Sequence, residues 1–117
     1  MPRVMIVDDD STMVKLLQTL LELDGFEVSV VRQGADVIDK AIETPPDVFL
    51  MDYHLTDIDG VEVLRQIRAN GTLAKTPVII ASGANVEEEV MAAGADDFLL
   101  KPYDPDDLPA LFSQLID

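Results

Sequence analysis

Carboxylates accumulate where two apolar stretches of the sequence end. Asp8, Asp9 and Asp10 follow the apolar residues 4–7, and Asp52 follows residues 48–51. Neighbouring carboxylates disfavour each other's ionised form, so three in a row need either full solvation or a compensating cation. A hard divalent cation such as Mg²⁺, which prefers oxygen ligands and keeps several waters, would compensate them. The pattern therefore predicts a Mg²⁺ site.

Two further polar side chains end apolar runs. Ser82 follows residues 78–81, and Lys101 follows residues 98–100. A hydroxyl and an ammonium group beside a divalent cation suit a phosphoryl group, because phosphoryl transfer needs mainly positioning and charge neutralisation. Asp52 is the predicted nucleophile, since it alone follows a predicted central strand while Asp8 and Asp9 can hold the metal.

The elements that must position these side chains alternate along the chain. Five short runs rich in Val, Ile, Leu and Phe read as strands, and they cover residues 4–7, 26–31, 48–51, 78–81 and 98–100. Strands that alternate with single helices predict a doubly wound α/β fold, a parallel sheet with helices on both faces. Ligands bind at the carboxyl ends of such strands, which is where the polar side chains fall.

Helical spacing and end signals predict five helices between and after these strands. The first begins after Asp10, whose best interpretation is an N-cap, and the fourth is capped by Asn85. The helices are marked in turn by Leu16, Leu17, Leu20 and Leu21; residues 35–42; Val61, Leu64 and Ile67; Glu87, Glu88 and Glu89; and Leu108, Leu111, Phe112 and Leu115.

Length and composition narrow the function further. The 117 residues predict a single domain, 1–117. The sequence has no cysteine, which excludes disulfides and thiolate metal sites and favours a cytoplasmic protein. No apolar run approaches the roughly 20 residues of a membrane helix. A net charge of −15 repels phosphates, so we expect no direct binding to nucleic acid or to membranes.

Four motifs together resemble the receiver domain of two-component response regulators, in the chemotaxis-regulator-like superfamily. They are VMIVDDDST, PDVFLMDYHLTDIDG, TPVIIASGA and GADDFLLKP, and the resemblance covers the whole chain. It implies a flavodoxin-like fold with strand order 2-1-3-4-5. It also implies a phosphorylation-controlled signalling switch, which phosphorylates itself and slowly dephosphorylates itself but does not act as an enzyme on an outside substrate.

The resemblance also assigns roles at the acidic site. Asp52 would accept a phosphoryl group from a histidine kinase or a histidine phosphotransfer protein. Asp8, Asp9, Asp52 and the backbone carbonyl of His54 would hold Mg²⁺, with Mn²⁺ as a substitute. A downstream effector protein, or a further domain of a longer chain, would respond to the phosphorylated form.

The remaining family positions concern the response to phosphorylation. Ser82 and Lys101 would assist catalysis and move toward the phosphoryl group. Phe98 occupies the position of the family's aromatic switch, although it could also be a core residue. The peptide bond between Lys101 and Pro102 is expected to be cis.

Two other functions stay open at this point. Asp8 could be the nucleophile of a phosphatase similar to the haloacid dehalogenases, whose D-x-D-x-T signature fits residues 8–12. The chain could also be a pseudo-receiver that binds partners without being phosphorylated.

Several acidic residues are predicted to have structural roles only. Asp96 and Asp97 precede the fifth strand and are interpreted as a solvated turn at the opposite edge of the sheet. Asp57 and Asp59 are expected to stabilise the turn that Gly60 closes.

The sequence also departs from the family pattern. Only 19 positions separate Ser82 from Lys101, about three fewer than the family has, which is nearly one helical turn and predicts a short fourth helix. Pro109 predicts that the last helix begins late, near Asp107, and Thr56 stands where the family has a proline. The two larger departures fall on the fourth helix, fifth strand and fifth helix, which in the family form the surface that changes on phosphorylation and meets partners. We therefore expect this output face to differ from that of other family members.

Overall fold

Five parallel strands form one sheet with the order β2-β1-β3-β4-β5. The computed structural model describes residues 1–116. The strands are β1 (Arg3–Val7), β2 (Glu27–Val31), β3 (Val48–Asp52), β4 (Val78–Ser82) and β5 (Asp97–Leu100). Every predicted strand is present, with each end within one residue of its predicted position. The predicted fold class and strand order are confirmed.

Five helices connect or follow the strands: α1 (Ser11–Leu23), α2 (Val37–Glu43), α3 (Gly60–Ala69), α4 (Glu87–Ala92) and α5 (Leu108–Ile116). Short 3-10 turns at Gly34–Asp36 and Pro105–Asp107 precede α2 and α5. Asp10 is the N-cap of α1, as predicted: its side chain accepts hydrogen bonds from the N–H groups of Thr12 and Met13.

Alternate residues of the central strands point into two apolar layers, one on each face of the sheet. Met5 and Phe49 pack with α2, α3 and α4, whereas Ile6 and Leu50 pack with α1 and α5. These central strands are buried on both faces, which is why they read as continuous apolar runs. Both layers pack against the sheet, and this packing brings the residues at its carboxyl edge together.

The last two helices differ from the rest as the sequence predicted. α4 has six residues, of which only Val90 is buried, and Asn85 accepts a hydrogen bond from the N–H of Glu87 at 3.3 Å. α5 begins at Leu108, so that Pro109 lies in its first turn, where a missing N–H costs nothing. The short fourth helix and the late start of the fifth are both confirmed.

Asp96 lies in the exposed turn before β5, as predicted, but it also has a structural role that the sequence did not predict. Its Oδ2 accepts a hydrogen bond from Arg68 Nη2 at 2.8 Å and another from the N–H of Val78 at 2.8 Å. Arg68 also donates to the carbonyls of Gly94 and Thr76. These contacts connect α3 to the amino ends of β4 and β5. The Arg68–Asp96 pair is 28 positions apart in sequence, so no local sequence pattern could predict it. Asp97 opens β5 and accepts from the N–H of Phe98.

Asp57 has a longer-range role than the predicted one of stabilising the turn that Gly60 closes. Its two carboxylate oxygens accept hydrogen bonds from the N–H groups of Gly34 and Ala35, both at 2.9 Å. The side chain therefore caps the turn before α2 in addition to contacting the backbone of its own loop. Asp59 does lie at the turn that Gly60 closes, and its carbonyl accepts from the N–H of Glu62.

Within residues 1–116, no helix combines the length and the apolar character that crossing a membrane requires.

Candidate functional site

The carboxyl edge of the sheet gathers the three predicted carboxylates. β1 and β3 are adjacent, with Val7 opposite Met51, so the residues that end these strands lie side by side. Asp8, Asp9 and Asp52 each place a carboxylate oxygen within 4.8 Å of the others. Residues that are 44 positions apart in sequence thus form one acidic cluster, as the strand pattern predicted.

Lys101 reaches the same cluster from β5. Its Nζ donates a hydrogen bond to Asp52 Oδ1 at 3.3 Å and lies 4.0 Å from Asp8 Oδ2. Its backbone N–H donates to the carbonyl of Ser82 at 2.8 Å, which joins the ends of β4 and β5. The lysine is one positive charge against three negative ones, so the cluster retains a net negative charge.

Ser82 ends β4, which lies between the strands that lead to Asp52 and Lys101. It is fully buried, and its Oγ accepts a hydrogen bond from the N–H of Ala84 at 3.0 Å. A hydroxyl that accepts one bond still has its own proton to donate. Among the described residues no acceptor takes that proton, so the hydroxyl can serve an incoming oxygen atom.

The buried carboxyl of Asp8 is in an environment that disfavours its ionised form. Burial raises the pKa of its carboxyl, and the neighbouring Asp52 and Asp9 charges raise it further. The hydrogen bond from the N–H of Asp10, at 3.0 Å, and the Lys101 charge oppose this increase in pKa. Because the raising influences prevail, a second positive charge at the cluster would stabilise the ionised form of Asp8.

The donor set fits a hard divalent cation. All three side chains offer carboxylate oxygens, and their spacing allows one ion to touch each of them. Mg²⁺ prefers such oxygen ligands, whereas softer metals favour nitrogen or sulfur. The residues present therefore suit the predicted magnesium site.

The model of the response regulator receiver domain family matches residues 4–113. This chain belongs to that family. The match covers nearly the whole sequence and includes every residue of the acidic cluster, Ser82 and Lys101.

Similar receiver domains occur in proteins of several kinds. The transcriptional regulatory protein PrrA of Mycobacterium leprae is 41% identical over 105 residues, which are 87% of this chain and 44% of that protein. The chain thus spans less than half the length of this relative. A response regulator structure from Chloroflexus aurantiacus superposes with a TM-score of 0.92 at 28% identity, covering 99% of this chain and 98% of that one.

One similar structure includes a metal. The receiver domain of a sensor histidine kinase from Pseudomonas aeruginosa has a TM-score of 0.89 and 25% identity, and covers 98% of this chain and 97% of its own. That structure is described with a magnesium ion coordinated in the active site cleft.

The other receiver-domain positions predicted from the resemblance lie around the cluster. The Lys101–Pro102 peptide bond is cis, as expected. The His54 side chain is exposed and meets the ring of Tyr53 edge-on, with centroids 4.7 Å apart. Phe98 is half-buried against the layer formed with α2, α3 and α4. Its switching role and the role of the His54 carbonyl stay predictions.

Sequence reasoning missed two tyrosines of this receiver domain. Tyr103 follows the cis bond, and burial together with the charges of Asp8 and Asp52 raises its pKa to about 12. It lines an apolar cavity of about 330 Å³ beside Lys101. Tyr53 donates from Oη to Glu89 Oε1 at 2.6 Å. The signal for both was their position next to site residues in the sequence.

Proposed function

We propose that this receiver domain is a signalling switch that accepts a phosphoryl group on Asp52 from a histidine kinase or a histidine phosphotransfer protein. The observation that carries the proposal is the convergence of one cation, one buried hydroxyl and three carboxylates at a single sheet edge. The 3.3 Å contact between Lys101 Nζ and Asp52 Oδ1 is the central element of this arrangement.

Asp8, Asp9 and Asp52 are the side chains that would hold Mg²⁺, or Mn²⁺ in its place, together with the backbone carbonyl of His54. When bound, the cation would neutralise charge on the phosphoryl oxygens. The net negative charge of the cluster and the raised pKa of Asp8 support this assignment.

The chain's own residues account for the transfer. An Asp52 carboxylate oxygen attacks the phosphorus of the donor phosphohistidine, the O–P bond forms, and the N–P bond breaks with its electron pair returning to the imidazole. Lys101 offsets negative charge on the phosphoryl oxygens, and Ser82 donates its free hydroxyl proton to one of them. The aspartyl phosphate is later hydrolysed by water, slowly and without an outside substrate.

Phosphorylation would then bias an equilibrium between two conformations. Ser82 ends β4, Lys101 directly follows β5, and a backbone hydrogen bond joins the two residues. Their movement toward the phosphoryl group would therefore displace neighbouring groups, including Phe98. A downstream effector protein or a further domain would recognise the changed surface. We expect this exchange in the cytoplasm, a compartment that suits a chain without cysteine.

The test is intact-mass spectrometry after incubation with acetyl phosphate, with Mg²⁺ or with a chelator. We expect one added phosphoryl mass on the wild-type chain, dependent on Mg²⁺ and absent from Asp52→Asn. Asp10→Asn is the matched control, because it removes a neighbouring charge while asparagine still caps α1.

Two results would contradict the proposal. An adduct that survives Asp52→Asn but disappears in Asp8→Asn would indicate a phosphatase with Asp8 as nucleophile. An unmodified wild-type chain that still binds Mg²⁺, with both acetyl phosphate and a phosphohistidine protein as donors, would indicate a pseudo-receiver.

A further inference from the structure

Three positively charged side chains line one groove at the edge of the sheet. The groove has a volume of about 410 Å³ and runs between α1, the carboxyl end of β2 and α2. Its cations are Lys15, Arg32 and Lys40, all of them exposed. Asp36 is the one acid among its lining residues.

This clustering is unexpected in so acidic a chain. The sequence has eight basic residues and 23 acidic ones. Arg3, Arg65, Arg68 and Lys101 each form an ion pair with a carboxylate. Within residues 1–116, the four remaining cations make no such pair, and three of those four lie in this groove. Three positive charges beside the single carboxylate of Asp36 leave the groove with an excess of positive charge, and an anionic ligand would relieve the repulsion among them.

The floor of the groove is apolar and formed partly by a free strand edge. Val14, Val30 and Val31 supply the apolar surface. β2 is an edge strand that pairs only with β1 in the described sheet. The N–H of Glu27 and the carbonyl of Val31 bond toward β1. Because backbone groups alternate in direction along a parallel strand, those of Val28 and Val30 point away from β1.

We propose that this groove binds an extended acidic segment of a partner protein, added as a strand beside β2. Strand addition uses the outward backbone groups of Val28 and Val30. Alternate side chains of such a segment fall on opposite faces. Because α1 and α2 lie on opposite faces of the sheet, carboxylates of the segment that point to one face can reach Lys15, and those that point to the other face can reach Lys40. Its apolar side chains can then cover Val30 and Val31. A small inorganic anion would use only the cations and leave the strand edge and the apolar floor unused.

The first experiment uses a (Glu-Val-Val)₃-amide peptide with fluorescein on its N-terminus, whose carboxylates fall on both faces of the extended chain. Fluorescence anisotropy measures its binding to the unphosphorylated chain at low salt. We expect Arg32→Gln and Lys40→Gln each to weaken binding roughly three-fold, as expected for the loss of one exposed ion pair. Lys75→Gln is the matched control, because Lys75 is the exposed cation that lacks an ion pair but lies outside the groove. Equal weakening by Lys75→Gln would overturn the proposal, since it would indicate general charge attraction.

The second experiment keeps the wild-type chain and changes the peptide. A (Gln-Val-Val)₃ peptide should lose binding through its missing charges, and a (Glu-Val-Val)₃ peptide N-methylated at alternate residues should lose it through its missing backbone donors. N-methylation can be placed on the odd or on the even residues, which gives two methylated peptides. If both bind as tightly as the unmethylated acidic peptide, the groove is a simple anion site and strand addition is rejected. Displacement of the unmethylated peptide by inorganic pyrophosphate at a similar concentration would lead to the same conclusion. Absence of binding by the unmethylated acidic peptide would reject the groove itself. None of these readouts depends on phosphoryl transfer at Asp52.

Discussion

Asp8 is the residue at which function and stability conflict most directly. It is buried, whereas Asp9 and Asp52 are only partly so, and burial raises its pKa. An acid with a raised folded-state pKa destabilises the fold when it is ionised, and this cost is complete above the raised value. The cost disappears as the pH falls below the ordinary value of 3.8.

Asp8→Asn should therefore stabilise the metal-free chain at neutral pH, by about 1 kcal/mol. Asparagine removes the buried charge and can still accept the hydrogen bond from the N–H of Asp10. Urea denaturation with a chelator present, followed from pH 7 down to pH 3, measures the gain and its loss at acid pH. Asp10→Asn should show no comparable gain. A less stable Asp8→Asn chain at pH 7 would contradict the electrostatic account.

Asp57 has a pKa shift in the opposite direction from that of Asp8, so its ionised form stabilises the fold. The backbone hydrogen bonds from Ala35 and Gly34 hold the pKa of its carboxyl below the ordinary 3.8. Asp57→Ala should lower the free energy of unfolding by about 1 kcal/mol at neutral pH, because two N–H groups at the turn before α2 lose their acceptor. The difference from wild type should shrink as the pH falls below 3.8 and the aspartate is protonated. Denaturation curves at several pH values test this, and a difference that grows in acid would refute it.

At the scale of elements, Gly60 fixes how α3 begins against β3. A Cβ built there would lie 2.6 Å from the carbonyl oxygen of Asp52 and 3.0 Å from the Cα of Tyr53. Both are backbone atoms, so the clash cannot be relieved by rotating a side chain. The glycine therefore keeps the end of β3, which carries Asp52, in close contact with the start of α3.

Gly60→Ala should destabilise the chain by roughly 1–3 kcal/mol, the usual range for overpacking, and should slow adduct formation at Asp52. Gly71→Ala is the control, since a Cβ there meets no atom within 4 Å. Thermal unfolding and the acetyl phosphate reaction measure the two effects. An unchanged Gly60→Ala chain would mean that α3 can shift without affecting Asp52.

The elements and the acidic cluster were predictable because their signals are local. Apolar runs mark the strands, and the ends of parallel strands must meet at one edge. The contacts of Asp57 and Arg68 were not predictable, because each joins segments more than 20 residues apart through side chains that any exposed loop or helix could carry. The hydrogen bond between Tyr53 and Glu89 belongs to the same class.

At the scale of the whole molecule, the net charge of −15 is the dominant feature of the surface. Folding brings these charges closer together than they are in the unfolded chain. Added salt shortens the range of their repulsion, from about 10 Å at 0.1 M to about 3 Å at 1 M.

The free energy of unfolding should therefore rise with NaCl concentration, in contrast to a chain held together by surface ion pairs. Urea denaturation at several NaCl concentrations, with a chelator present, measures the trend. A free energy that falls with salt would mean that the few ion pairs outweigh the overall repulsion.

The short fourth helix has an evolutionary consequence. α4 places only Val90 fully inside the apolar layer, so residues can be inserted, deleted or exchanged along it with little effect on folding. The acidic cluster belongs to strand ends that are buried from both sides, where such changes are not tolerated. A lineage can therefore diversify the surface around α4 while it inherits the same chemistry.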